Sequence, residues 1–235
     1  MRNQQVIVTG ASRGIGEAIA RELDTRGFHV CALSRTGASA VGTGMACDMT
    51  DERAVIAAIS AIGAQGPIVG LVNNAGAHDA KPSAELSLGE FEACMRLNAA
   101  STLVASREAY PYLRKSGEGL IINIGSFFDR LGVPENLAYC ASKAAVGAIT
   151  RCLASEWAKD GIRVIDVAPG YIETDLNRDF LASEKVKAWL KRRVPVGRPG
   201  SADEIARLVG VLYAEKIGFL TGETIYVDGG QGANH

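Results

Sequence analysis

The 235-residue chain lacks any bias of charge: 25 Lys and Arg stand against 26 Asp and Glu, a formal net charge of −1. Bulk attraction to nucleic acid or to an acidic membrane surface is therefore excluded. It lacks a run of about twenty apolar residues, the length that crosses a bilayer. No basic, apolar and small-residue leader is expected, since Met1-Arg2-Asn3-Gln4-Gln5 runs straight into strand-like sequence. Cys31, Cys47, Cys94, Cys140 and Cys152 are odd in number, scattered and without CxxC spacing. They read as reduced, mostly buried thiols of a cytoplasmic protein, and no metal site is expected. There is no internal repeat and no low-complexity segment. What is present is an ordinary soluble balance, 47% hydrophobic and 22% charged. At this length it implies one domain, 1–235, with a continuous core.

Apolar, β-branched runs alternate with helix-like stretches along the whole chain, the pattern of an α/β fold. Strands are expected at 5–9, 28–33, 44–47, 67–72, 120–124, 163–167 and 224–227. Helices are expected at 17–26, 51–62, 87–115, 135–159 and 201–213. Only about nine residues separate Ser34 from Gly44, too few for a full crossover helix. A turn should join the second and third strands. Residues 171–199 form the one long segment without an expected strand, with an amphipathic stretch around Phe180, Val186, Trp189 and Leu190. Long excursions at the carboxyl end of a sheet serve as lids, so 171–199 is read as a substrate lid.

Gly10-Ala11-Ser12-Arg13-Gly14-Ile15-Gly16 lies between the first strand and the first helix. Glycines there let backbone approach a pyrophosphate, and the helix N-terminus offers unpaired N–H groups and partial positive charge. The spacing is GxxxGxG, not the commoner GxGxxG. An acid about 20 residues beyond such glycines takes the ribose 2′-hydroxyl of NAD. Here Ser34-Arg35-Thr36 holds that place, and no Asp or Glu lies between Phe28 and Ala40. With Arg13 in the loop, two guanidiniums and two hydroxyls suit a 2′-phosphate, so NADP(H) is expected. The alternative leaves Arg35 as a solvated loop charge. Asp48-Met49 ends the third strand, where Asp48 either accepts from the adenine amino group or begins the loop and caps the next helix. Asn73-Asn74-Ala75-Gly76 ends the fourth strand, suited to close backbone approach to the cofactor or to bracing the sheet. Asn98 falls inside a long helix, where asparagine competes for backbone groups; burial there would need a reason, such as a water in a proton path.

The chemistry centres on Tyr139-Cys140-Ala141-Ser142-Lys143. A tyrosine and a lysine four apart share one helix face. An ammonium beside a phenol favours the phenolate, which suits proton transfer to or from an alcohol oxygen. Ser126 ends the fifth strand thirteen residues earlier.

These pieces together resemble the short-chain dehydrogenase/reductase family over essentially the whole chain. The resemblance rests on Thr9-Gly10 through Gly16, Asn73 through Gly76, Asn98, Ser126, Tyr139 with Lys143, Pro169-Gly170 through Thr174, and Asp228-Gly229-Gly230. It implies a Rossmann-like, doubly wound sheet of seven parallel strands with helices on both faces. It also implies NAD(P)-linked carbonyl–alcohol interconversion and a homotetramer built partly on two long helices. By resemblance, Tyr139 is acid in reduction and base in oxidation. Lys143 tunes it and holds the nicotinamide ribose, and Ser126 donates to the carbonyl oxygen. Asn98 holds a water linking Lys143 to solvent. Ile172 and Thr174 contact the nicotinamide carboxamide, beside Pro169 and Gly170. Read without the resemblance, Ser126 is a strand-end cap, Lys143 a helix-surface charge and Asn98 a helix bend. Ser34 and the short 37–42 segment depart from the NAD-using branch.

The general look is that of 3-oxoacyl thioester reductases. Phe127, Phe128, Phe180 and Trp189 either wall an apolar pocket or belong to the core. Lys185, Lys187, Lys191, Arg192 and Arg193 make the lid basic, matching a thioester carrier's phosphates or simply facing solvent. The expected function is ketone reduction with NADPH, on 3-oxoacyl thioesters or apolar ketones. Oxidation of a hydrophobic secondary alcohol uses the same residues. A cofactor-binding sensor or scaffold without turnover would carry a broken Ser–Tyr–Lys set, and this set is complete.

Overall fold

Val6, Ile7 and Val8 are wholly buried in β1 (Gln5–Thr9), so this strand is covered on both faces. Such double burial is what a central parallel strand requires. The computed structural model describes residues 4–175 and 177–233, without the side chain of Phe180. Around β1 it places β2 (His29–Ser34), β3 (Thr43–Ala46), β4 (Ile68–Asn73), β5 (Gly119–Ile124), β6 (Ile162–Pro169) and a later strand, Thr224–Val227. They form one seven-stranded sheet in the order β3-β2-β1-β4-β5-β6 and then Thr224–Val227, every pair parallel.

Alternation along the strands sends successive side chains to opposite faces. Val6 and Val8 meet α1 (Gly14–Thr25) through Ile19 and Leu23, together with Ile205 and Val209 of a helix at Ala202–Ala214. On the other face Ile7, Leu71, Ile121 and Val164 meet α2 (Glu52–Gln65), α4 (Ser101–Ser116) and α5 (Leu137–Trp157). Each such Leu or Ile removed from water contributes roughly 2 kcal/mol. The sheet is thus doubly wound, and the strands' carboxyl ends open along one edge.

As expected from its length, the segment between β2 and β3 holds no helix. Three expectations change. The helix over 87–115 is α3 (Leu88–Met95), a π-turn at Arg96–Ala100 and then α4, with Asn98 inside the π-turn. The segment 171–199 does contain a strand. β7 (Ile172–Glu173) pairs in parallel with β8 (Gly200–Ser201), which ties the two ends of the excursion together. Between them lie α6 (Arg178–Ala182) and α7 (Glu184–Arg193), gathered on Leu181, Leu190 and Val194. Finally, the cysteines are not mostly buried: Cys31 and Cys47 are, Cys94 and Cys140 are half-buried, and Cys152 is exposed. The chain closes with α8 (Ala202–Ala214), capped by Ser201 and Glu204 in a reciprocal capping box, and β9 (Thr224–Val227).

Candidate active site

A cleft of about 310 Å³ opens at the carboxyl ends of β1 to β4. Ligands of open α/β sheets bind there. Gly10, Ser12, Arg13, Gly14, Ile15 and Gly16 form one wall, Ser34 and Arg35 the second, Asp48 and Met49 the third. Asn74, Ala75, Gly76 and Thr174 complete it, joined by Cys47, Leu97 and Asp175, which sequence reasoning had not placed. Thr36, Pro169, Gly170 and Ile172 do not line it. The Thr36 hydroxyl accepts from Ala38 N at 3.3 Å and serves its own turn. Ile172 is buried in the core beside the sheet.

The glycine loop fits a diphosphate. A Cβ on Gly16 would lie 2.3 Å from Gly10 O and 2.4 Å from Asn74 Nδ2, so only glycine keeps loop and helix this close. The first turn of α1 has no side-chain cap, since Arg13 stands at its N-cap without a hydrogen bond. Its leading N–H groups therefore face the cleft as an anion site. Asn74 serves the loop: its Nδ2 donates to Thr9 O and Gly10 O at 3.0 and 3.1 Å. Thr9 Oγ1 accepts from Asn74 N and Ala75 N, each at 3.0 Å. Asn73 braces the sheet, donating to Asn123 Oδ1 and Ser106 Oγ. Asp48 does not cap α2; Asp51 does. Asp48 Oδ1 instead takes Thr50 N at 2.9 Å and Thr50 Oγ1 at 2.8 Å, and these two bonds hold its carboxyl below the ordinary range.

Beyond the cleft, α5 brings Lys143 to the end of β5 and close to the Tyr139 ring. Lys143 is 5% exposed, so it is no surface charge, and its Nζ donates to Ile124 O at 2.7 Å. That carbonyl lies two residues before Ser126, so the lysine touches the strand end that delivers the serine. The same Nζ is 5.6 Å from the centre of the Tyr139 ring. Ser126 Oγ accepts from Phe128 N at 3.3 Å. The strand-end cap is therefore real, and the hydroxyl proton stays free to donate elsewhere.

Asn98 is buried and its side chain is occupied within the chain. Its Oδ1 accepts from Ala77 N and its Nδ2 donates to Ala77 O, both at 2.9 Å. Nδ2 also donates to Ser142 Oγ at 3.0 Å, which in turn donates to Tyr139 O at 2.8 Å. Burial of this asparagine is thus explained by pinning the loop after β4 to the N-terminal part of α5. Ser142 is a link the sequence reading missed, although its spacing of three from Tyr139 could have revealed it.

Aromatic rings stand over Tyr139. His78 and Phe128 meet it edge-on at 4.7 and 5.8 Å between ring centres. Phe127 reaches Tyr171 at 5.2 Å, and Tyr171 reaches Trp189 of α7 at 5.2 Å. His78 Nε2 also meets Asn136 Oδ1, just before α5. A single histidine in loop sequence had given no signal. Lys185, Lys187, Lys191, Arg192 and Arg193 are all exposed. The side chain of Phe180 lies outside the described residues.

A family model described as enoyl-(acyl carrier protein) reductase matches residues 10–231. The chain is 36% identical to 3-oxoacyl-(acyl-carrier-protein) reductase FabG of Haemophilus influenzae, covering 98% of each. It is 36% identical to glucose 1-dehydrogenase of Gluconobacter oxydans, covering 97% of this chain and 91% of the relative. The structure of a gluconate 5-dehydrogenase from Burkholderia cenocepacia in complex with NADP and tartrate superposes with a TM-score of 0.92 at 30% identity, covering 100% and 97% of the two chains. The chain belongs to the short-chain dehydrogenase/reductase family, oxidoreductases of secondary alcohols and ketones. No helix among the described residues is long and apolar enough to cross a membrane.

Proposed function

We propose that the protein is an NADP(H)-dependent oxidoreductase that interconverts an apolar ketone, or a 3-oxoacyl thioester, with its secondary alcohol. The observation that carries the cofactor choice is the pair Arg13 and Arg35 lining the cleft, with Ser34 in place of an acid at the end of β2 and the nearest acid, Asp48, following β3. A guanidinium fork binds a charged phosphate more strongly than a neutral ribose hydroxyl. The NADP bound in the Burkholderia structure supports the same choice. When bound, NADP(H) supplies or accepts the hydride.

The chain's own residues supply the proton and the aim. Tyr139 gives a proton to the carbonyl oxygen in reduction and takes it back in oxidation. Ser126 donates its free hydroxyl proton to the same oxygen, where negative charge develops. Lys143, buried between Ile124 O and the phenol, places a cation beside the proton donor. Asn98 fixes the loop 74–77 against α5 and so keeps the cleft and the phenol in register. The rings of His78, Phe128, Tyr171 and Trp189 favour an apolar substrate over a polyol, and the excursion 171–199 closes over it as a lid. Exposed Leu103 and Leu137, with Ala144 and Ala148 on the outer side of α5, support a homotetramer built on α4 and α5.

Steady-state assays with apolar ketones, 3-oxoacyl thioesters, sugars and secondary alcohols, each with both nicotinamide cofactors, test this reading. NADPH with an apolar ketone or thioester should give the highest kcat/KM. Preference for NADH, or for glucose over every ketone, overturns it. Tight NADPH binding without turnover on any of them would point to a sensor.

A further inference from the structure

Asp166 lies in β6 between Ile165 and Val167 and is wholly buried. Its register against Asn123 of β5 turns it to the α5 face of the sheet. Oδ2 accepts from Thr224 Oγ1 at 3.2 Å, and Oδ1 has no partner. Both oxygens press on Gly125, where a Cβ would lie 2.4 and 2.6 Å away. The strand that delivers Ser126 thus leaves out a side chain at the one point where the carboxyl needs room. Next to Gly125 is Ile124, whose carbonyl holds Lys143 Nζ.

The charged and titratable groups around Asp166 are few. α5 offers Lys143, and further along Arg151, which reaches Gly147 opposite Asp129. The turn 127–130 offers Asp129 and Arg130. Asp129 Oδ2 accepts from Tyr226 OH at 2.8 Å, its Oδ1 is buried without a partner, and Arg130 lies 3.6 Å from the Tyr226 ring centre. β9 offers Thr224 and Tyr226. Two carboxyl groups, each with a buried orphan oxygen, therefore face one another on this side of the sheet, and Lys143 Nζ reaches the backbone next to Gly125. An orphan buried carboxylate oxygen is costly, and a proton on it removes the charge and makes it a donor.

We propose that Asp166 is a positioning residue for Lys143: it exchanges one proton behind the lysine, and its charge sets how far the ammonium is held at the sheet instead of acting on Tyr139. This rests on reading Tyr139 and Lys143 as the reacting pair. Ionised, Asp166 draws Lys143 towards Gly125 and cancels part of its field at the phenol. Protonated, it leaves that field intact. Burial pushes the Asp166 carboxyl up to about 6, with Lys143, Thr224 and the backbone N–H of Gly125 opposing the rise and Asp129 adding to it. The exchange therefore falls where the protein can use it.

The test follows the Lys143 Nζ resonance of [15N]lysine-labelled protein from about pH 5 to 8, beside the pH profile of kcat for ketone reduction. In the wild type the resonance should shift with a midpoint near that of Asp166, and kcat should fall several-fold through the same inflection as pH rises. Asp166→Asn should flatten both. Thr224→Val, which removes the bond favouring the ionised form, should move the midpoint up and serves if Asp166→Asn does not fold. A resonance that stays still in the wild type, or titrates alike in either variant, overturns the proposal. A wild type with the stated titration but no turnover counts against the catalytic reading alone, whereas normal turnover without the titration counts against Asp166 alone.

Discussion

At the scale of single residues the site is a matter of where protons and charges are held. Tyr139→Phe removes the proton but keeps the ring contacts with His78 and Phe128. It should lower kcat by several powers of ten while NADPH binding, followed by fluorescence, stays within about threefold. Arg35→Ala takes away one partner of the 2′-phosphate. A charge-assisted bond is worth roughly 1.5–3 kcal/mol, so KM for NADPH should rise by about 10- to 100-fold. KM for NADH should hardly change, and equal losses for both cofactors would return Arg35 to the role of a loop charge. Asp166 makes a prediction about stability. Its folded-state pKa lies above its ordinary 3.8, so the folded chain holds this proton more tightly than the unfolded chain does. The favourable contribution is complete below about pH 3.8 and is lost as pH rises through about 6. The gap, at about 1.36 kcal/mol per pH unit, makes the ionised form cost the fold about 3 kcal/mol at neutral pH. Asp166→Asn is expected to melt several degrees above the wild type at pH 8, with the advantage shrinking towards pH 4 in calorimetry.

Elements place those residues, and here the sequence was legible in kind more than in detail. Apolar runs placed the central strands to within a residue or two, because a buried parallel strand needs an unbroken apolar run, whereas β3 is short and mostly exposed. The π-turn at Arg96–Ala100 left no such mark. Asn98 flagged trouble in the helix, but its partner Ala77 is 21 residues away, and no local rule links them. Asn98→Ala should lose those bonds at about 2–4 kcal/mol. It should raise KM for NADPH as well as lower kcat, because the loop it pins lines the cofactor cleft. The pairing of β7 with β8 was equally hidden: two residues carry no periodicity. The capping box of α8 joins Ser201 to Glu204 within a helix that was expected at 201–213. Ser201→Ala should cost about 1 kcal/mol and a few degrees of Tm, with kinetics unchanged.

For the whole molecule, the doubly wound sheet gathers loops from distant parts of the chain along one edge, and the excursion 171–199 stands beside them. Trp189→Ala should raise KM for apolar ketones about tenfold and leave NADPH binding alone, since the ring packs on Tyr171 and does not line the cofactor cleft. Sedimentation should show four copies in the assembly. The sequence by itself determined the alternation of strands and helices, the glycine cradle, the missing acid after β2 and the Ser126–Tyr139–Lys143 order. Each of these depends on residue type at short spacing, where backbone geometry is shared by all chains. Only the tertiary structure decided that Asn98 is spent on Ala77, that His78 stands over the phenol, and that a carboxyl with one unpaired oxygen is buried against Gly125. Those facts come from residues brought together by the winding of the sheet, and a contact between distant segments has no period to read.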